Sequence, residues 1–119
     1  MLIRELKDCD EITALDACRL RELLHPDKQD VDIRYSLAHA RVAPFASTLA
    51  HKLKNSEVYY IVKGEGVVYI NGVSSKVFPG SAVYIPPGAQ QYIANTQDTE
   101  LEFLCIVDPA WHADEEQKC

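Results

Sequence analysis

The sequence predicts an all-β domain, and two observations carry that prediction. Between residues 31 and 107, short runs rich in β-branched and aromatic residues recur at even spacing. Turns containing glycine or proline separate these runs, and Asn71-Gly72 is the clearest of them because this dipeptide favours a two-residue hairpin. Even spacing of this kind indicates a sandwich or a closed antiparallel barrel rather than βαβ units.

The predicted strands follow in chain order. Residues 32–42 and 48–53 form two strands separated at Pro44, and the remaining strands are residues 58–62, 67–70, 73–78, 81–85, 90–95 and 101–107. In the first quarter, the apolar residues fit either one face of a helix or a turn at Asp16 followed by a strand over residues 19–24. We predict the strand, which would stop at Pro26.

The domain organisation follows from these elements. Residues 1–30 form a strand and turn segment that packs on the barrel, and residues 31–111 form the barrel itself. Residues 112–119 are acidic. This segment has no large apolar side chain that could anchor it, so we expect a frayed tail.

Composition and charge exclude several classes of function. The 119 residues include 12 Lys and Arg against 18 Asp and Glu, a net charge of -6, and the basic residues are scattered singly, which argues against nucleic acid as a partner. No apolar run is long enough to span a membrane, and the first residues lack the apolar core of a secretory signal, so we expect a cytoplasmic protein. The four cysteines share no close spacing, which argues against a zinc knuckle or a redox pair.

Residues 51–64 and 80–95 together resemble the two motifs of the cupin superfamily, and the chain is identified as a member of the small single-domain type. Cupins are small antiparallel β-barrels, also called double-stranded jelly rolls, so the resemblance implies that fold. The matching residues are Glu57 and Gly64 in the first motif and Gly80, Pro86, Gly88 and Asn95 in the second.

The resemblance also implies a divalent metal, held in the family by three histidines and one glutamate. His51 and Glu57 match two of those positions, Gln91 replaces one histidine with a neutral amide, and Leu53 replaces another with a side chain that cannot bind metal. The implied ligands are therefore His51, Glu57 and Gln91. The metal could be zinc, iron, manganese or nickel, and Glu57 would be the catalytic residue, either as a ligand or as a general base.

Alternation along the predicted strands places these polar groups in one apolar interior. Residues two apart on a strand share a face, so His51 faces the same way as Leu53. A few convergent polar groups in an apolar concavity are typical of a small-molecule site. The remaining predicted pocket residues are Tyr59, Ile61, Val83, Ile93 and Cys105.

Two classes of function stay open at this point. One is a metal-dependent enzyme acting on a sugar, sugar acid or other carbonyl metabolite, and for this class an isomerase or epimerase fits better than a dioxygenase because only one histidine ligand remains. The other is a non-catalytic sensor or storage module that binds a small molecule without metal. A barrel with a packed interior and no ligand is the third alternative.

The pattern of residues 101–107 predicts a homodimer. Leu101, Phe103, Cys105 and Val107 form an apolar row suited to the interior, yet Leu104 and Ile106 on the opposite face are apolar as well. An apolar outer face usually marks an interface. The rival explanation is that the N-terminal segment covers this face.

Overall fold

The computed structural model describes residues 1–119 and contains eleven β-strands, two three-residue 3-10 turns and no α-helix. It confirms the all-β class. The strands are β1 (Glu11–Thr13), β2 (Arg19–Leu24), β3 (Ser36–Val42), β4 (His51–Leu53), β5 (Ser56–Lys63), β6 (Gly66–Ile70), β7 (Val73–Val77), β8 (Ala82–Ile85), β9 (Gln90–Asn95), β10 (Leu101–Asp108) and β11 (Glu116–Lys118). None of the helical segments is long or apolar enough to cross a bilayer.

Two antiparallel sheets enclose the interior. The six-stranded sheet has the order β1-β2-β3-β10-β5-β8, and the five-stranded sheet has the order β11-β4-β9-β6-β7. The chain crosses repeatedly from one sheet to the other, so residues that are distant in sequence face each other across the interior.

Alternation along the central strands explains the core. On β10 the odd-numbered side chains from Leu101 to Val107 are buried, and the even-numbered ones between them are partly exposed. The main core cluster joins residues of both sheets, including Ile61 and Phe103 from the six-stranded sheet and Ile93 from the five-stranded sheet. Burial of these side chains provides the main driving force for closing one sheet over the other.

The first quarter of the chain forms the predicted strand and lengthens the six-stranded sheet. β2 pairs with β1 on one side and with β3 on the other. A turn lies between β1 and β2, and it brings Asp16 to a buried position.

The prediction of a frayed C-terminus is wrong. Residues Glu116–Lys118 form β11, which pairs with β4 through Glu116 opposite Leu53 and Lys118 opposite His51. The backbone N–H of Cys119 also donates to the carbonyl of Ala50 at 3.0 Å. Main-chain hydrogen bonds to an available strand edge order this segment although its own side chains are polar.

Two strands begin three or more residues later than predicted. β3 begins at Ser36 rather than residue 32, because its pairing with β10 ends where Ser36 lies opposite Val107. β4 begins at His51 rather than residue 48, although Ser47 makes an isolated bridge to Ala94.

Candidate functional site

A cavity of about 50 Å³ lies between the two sheets. That volume holds on the order of four water molecules. Its walls combine aromatic and apolar side chains with one imidazole and four carboxylates. The acidic and imidazole residues are Asp16, Glu22, His51, Glu57 and Glu116, and the aromatic residues are Tyr59, Phe103 and Trp111.

The turn between β1 and β2 aims Asp16 into this cavity. The Oδ1 atom of Asp16 accepts a hydrogen bond from the backbone N–H of Cys18 at 3.1 Å, as in an Asx turn. Between them, Ala17 has a φ of 74°, in the left-handed region. With Oδ1 held by the turn, Oδ2 points at His51, at 3.7 Å from its Nε2 atom.

His51 stands on β4 with its imidazole 2% exposed. Its Nδ1 atom lies 2.8 Å from the carbonyl oxygen of Leu49. Because a carbonyl can only accept, Nδ1 carries the proton and donates it. In the neutral ring this leaves the lone pair on Nε2 directed into the cavity, an arrangement common for metal-binding histidines.

Glu116 reaches the same point from β11. Its Oε1 atom lies 3.6 Å from Nε2 of His51, and its side chain is 8% exposed. Burial raises the pKa of Glu116, the neighbouring His51 lowers it and the nearby Asp16 raises it again. The C-terminal strand therefore contributes a buried carboxylate to the cavity.

Asp16, His51 and Glu116 form a donor set that suits a divalent cation. Their ligand atoms all lie within 4.8 Å of one another. The distances of 3.6 and 3.7 Å from Nε2 to the two carboxylates are too long for hydrogen bonds. Buried carboxylates need a compensating charge, and an ion between these atoms would provide it. One imidazole and two carboxylates suit a borderline or hard metal.

Glu57, Tyr59 and Gln91 form a hydrogen-bonded chain beside the cavity. The hydroxyl of Tyr59 donates to Oε1 of Gln91 at 2.9 Å, and Nε2 of Gln91 donates to Oε1 of Glu57 at 3.0 Å. Both Gln91 and Glu57 are buried. The chain connects β5 in one sheet with β9 in the other.

Glu57 has a strongly perturbed acidity. The pKa of Glu57 is raised from 4.5 to about 8, chiefly by burial and also by repulsion from the carboxylates of Asp16 and Glu116, although the hydrogen bond from Gln91 acts in the opposite direction. Glu57 is therefore largely protonated at neutral pH and is able to donate a proton.

The two cavity thiols are not activated. Burial raises the pKa of Cys18 and of Cys105, and nearby acidic groups raise both further. A reactive cysteine needs a lowered pKa, so neither is suited to act as a nucleophile.

The structure brings some of the residues selected from the sequence together and separates others. His51, Glu57, Tyr59 and Cys105 line the cavity. Gln91 is buried behind Tyr59, with its amide oxygen engaged by the tyrosine hydroxyl. The other predicted pocket residues do not line this cavity: Leu53, Ile61 and Ile93 are buried core residues, and Val83 lines a separate cleft between β6, β7 and β8.

Sequence reasoning did not select Asp16 or Glu116. The sequence predicts only a turn at Asp16, and it predicts that Glu116 lies in the acidic tail. The one local signal is the Asp16-Ala17-Cys18 sequence, in which an aspartate two residues before a donor N–H is able to form an Asx turn. For Glu116 there is no such signal, since pairing with β4 alone determines its position.

Comparison with known proteins assigns the chain to a family. Residues 38–107 match the model of the cupin domain. An uncharacterised protein of Methanocaldococcus jannaschii is 37% identical over 103 residues, which cover 85% of this chain and 82% of that protein. The oxalate-binding protein of Thermotoga maritima is 35% identical over 71 residues, or 59% of each chain.

Solved structures agree on the fold. The crystal structure of a predicted oxalate decarboxylase from Thermotoga maritima superposes with a TM-score of 0.78 at 24% identity, covering 91% of this chain and 99% of that one. The family match spans more than half of the chain and includes β4, β5, β9 and β10, the strands that hold His51, Glu57, Gln91 and Cys105. This chain therefore belongs to the cupin domain family.

Proposed function

We propose that this protein binds a divalent cation in its cavity through Asp16, His51 and Glu116 and uses that site to hold a small oxygen-bearing metabolite. The observation that carries the proposal is the convergence of two buried carboxylates on Nε2 of His51 at 3.6 and 3.7 Å, without hydrogen bonds between them. The cupin fold, in which a metal is common, supports it.

This set differs from the one implied by the family resemblance. Both include His51. In place of Glu57 and Gln91, which are hydrogen-bonded to each other, the geometry favours Asp16 and Glu116. Gln91 would have to release the Tyr59 hydroxyl before its amide oxygen could bind a metal.

The residues around the cation would then have separate roles. When bound, the cation would polarise a carbonyl or hydroxyl oxygen of the metabolite. Glu57, protonated at neutral pH, lines the same cavity and would donate a proton to that oxygen and take one back as the resulting carboxylate. Tyr59 and Gln91 would hold the Glu57 carboxyl in place. Such an arrangement suits an isomerase or epimerase acting on a carbonyl compound.

The second candidate is a binding module without metal or catalysis. A protonated His51 would also compensate the carboxylates of Asp16 and Glu116, and the small cavity would then take a ligand directly. The oxalate-binding protein of Thermotoga maritima makes oxalate the first ligand to test for this role.

Metal analysis separates the two candidates. We expect purified protein to bind Mn²⁺ or Zn²⁺ at one site per chain in calorimetric titrations, and Asp16→Asn and Glu116→Gln each to weaken binding by at least about tenfold, since each removes one charged ligand. Glu22→Gln is the matched control, because Glu22 lines the same cavity outside the cluster. Full binding in the Asp16 and Glu116 variants, together with loss in Glu57→Gln, would support the resemblance-based ligands instead.

We also propose that two copies of the chain associate through the outer face of the six-stranded sheet. Cross-strand pairs on that face are apolar: Leu104 lies opposite Tyr60, and Val58 lies opposite both Ile106 and Tyr84. The Tyr60 and Tyr84 side chains are exposed. The strands β1 and β2 extend this sheet at its β3 edge instead of lying across β5 and β10, which favours an interface between copies over a cover formed by the N-terminal segment.

Light scattering tests the association. We expect a mass of twice the 13.4 kDa chain, reduced to that of one chain by Val62→Lys on this face. Val73→Lys is the matched control, because Val73 is an exposed valine of the other sheet. A wild-type mass near one chain would contradict the dimer.

A further inference from the structure

The walls of the cavity carry negative charge and no basic side chain. Four of the fifteen lining residues are Asp or Glu, one is His51, and none is Lys or Arg. Sites that bind carboxylates or phosphates typically use Arg or Lys as their partners. This cavity has no such group of its own.

The carboxylates already have partners in the proposed site. Asp16 and Glu116 would balance the two charges of a divalent cation. The Glu22 carboxylate pairs with the ammonium of Lys28 at 2.6 Å, and the Lys28 side chain is largely exposed, so this pair lies toward the surface. Glu57 accepts from Gln91. Because these two carboxylates would neutralise the cation, the site would have no net positive charge to attract an anion.

The same walls are rich in hydrogen-bond acceptors. Carboxylate oxygens of Asp16 and Glu116 face the cavity, and the donor of Tyr59 is engaged by Gln91. A ligand that fits such walls brings its own donors, as hydroxyl groups do. The volume of about 50 Å³ admits only a small molecule or the chelating end of a larger one.

Building on the proposed cation site, we propose that its ligand is a small uncharged polyhydroxy compound, such as a hydroxyketone or vicinal diol, and that a dicarboxylate is rejected. Two oxygens of the ligand would face the cation, and its hydroxyl hydrogens would face the surrounding carboxylates. A dianion would place its negative charges against those same oxygens, in a low-dielectric interior where repulsion is strong.

A pair of probes of equal size and different charge tests the inference. Dihydroxyacetone is uncharged and oxalate is a dianion, and each has six non-hydrogen atoms. Each probe is titrated into protein loaded with Mn²⁺ while the relaxation rate of water protons is measured. A change in that rate shows that the probe displaces water from the bound ion. Atomic analysis after gel filtration shows whether Mn²⁺ stays on the protein.

We expect dihydroxyacetone to form a complex with the loaded protein and oxalate to bind at least about tenfold more weakly, or only to remove the ion. Glu22→Lys, which adds a cation to the wall, should raise oxalate affinity by about tenfold, whereas Glu22→Gln should change it less. Tighter binding of oxalate than of dihydroxyacetone to the wild type, or no binding of either probe, would overturn the inference. Failure of Mn²⁺ to bind at the outset would instead refute the proposed function.

Discussion

Glu57→Gln should remove a pH dependence from the stability of the metal-free protein. The carboxyl of Glu57 has a pKa of about 8 in the folded chain, against an ordinary value of 4.5. Between these two pH values the folded state keeps a proton that the unfolded state has lost. The contribution of this group to stability is therefore fully present below pH 4.5 and is lost as pH rises through about 8.

The size of the effect follows from that window. Each pH unit in it changes the free energy of unfolding by up to about 1.4 kcal/mol, so the full interval corresponds to roughly 5 kcal/mol at most. Even a third of that value is a measurable share of the stability of a small domain. Glutamine keeps the oxygen that accepts from Nε2 of Gln91 and has no proton to lose in this range.

Urea unfolding of both proteins in the presence of EDTA, at several pH values from 4.5 to 9, measures the difference directly. We expect the variant to gain stability relative to the wild type as pH rises. Taking the difference between the two proteins cancels the titration of groups common to both. The groups that share the cavity with Glu57 are Asp16, Cys18, Glu22, His51, Tyr59, Cys105 and Glu116. Two parallel stability curves would refute the raised pKa.

Two further predictions concern the residues that support the barrel. The two N–H groups of Asn95 Nδ2 lie within hydrogen-bond distance of three backbone carbonyls, those of Val42, Ala43 and Thr99, so Asn95→Ala should lower the free energy of unfolding by on the order of 3 kcal/mol. The isosteric Asn95→Asp should cost at least as much in urea unfolding. An Asn95→Asp variant of unchanged stability would show that packing, not donation, matters. Gly66→Ala should lower the free energy of unfolding by on the order of 2 kcal/mol, because the added Cβ would lie against the carbonyl oxygen of Ala94 in the paired strand. At Gly72 an added Cβ meets no atom, but φ is 80°, so Gly72→Ala should cost only about 1 kcal/mol. Equal shifts in melting temperature for the two variants would contradict this account.

The strand pattern and the interior faces of the central strands follow from the sequence. Alternation on β10 buries Leu101, Phe103, Cys105 and Val107 as the pattern predicts, because the side-chain period of a strand is fixed by backbone geometry. The Asn71-Gly72 turn joins β6 and β7, with positive φ at both residues, because local sterics select these residues there. The resemblance of residues 51–64 and 80–95 to cupin motifs likewise needed no coordinates.

Only the tertiary structure shows which of those interior residues meet in the cavity. Leu53, Ile61 and Ile93 share faces with polar site residues, yet they lie in the packed core rather than on the cavity wall. Alternation along a strand determines which side of the sheet a residue faces. The position of that residue along the barrel axis depends on how the two sheets are staggered.

Only the tertiary structure, too, brings Asp16 and Glu116 to His51. The two carboxylates come from opposite ends of the chain, one from a turn and the other from a short polar strand. No periodicity marks either residue, because each is positioned by long-range main-chain pairing: β2 with β3, and β11 with β4. The sequence alone determined a barrel with a polar interior, whereas the register of its two terminal segments determined the charge of the cavity.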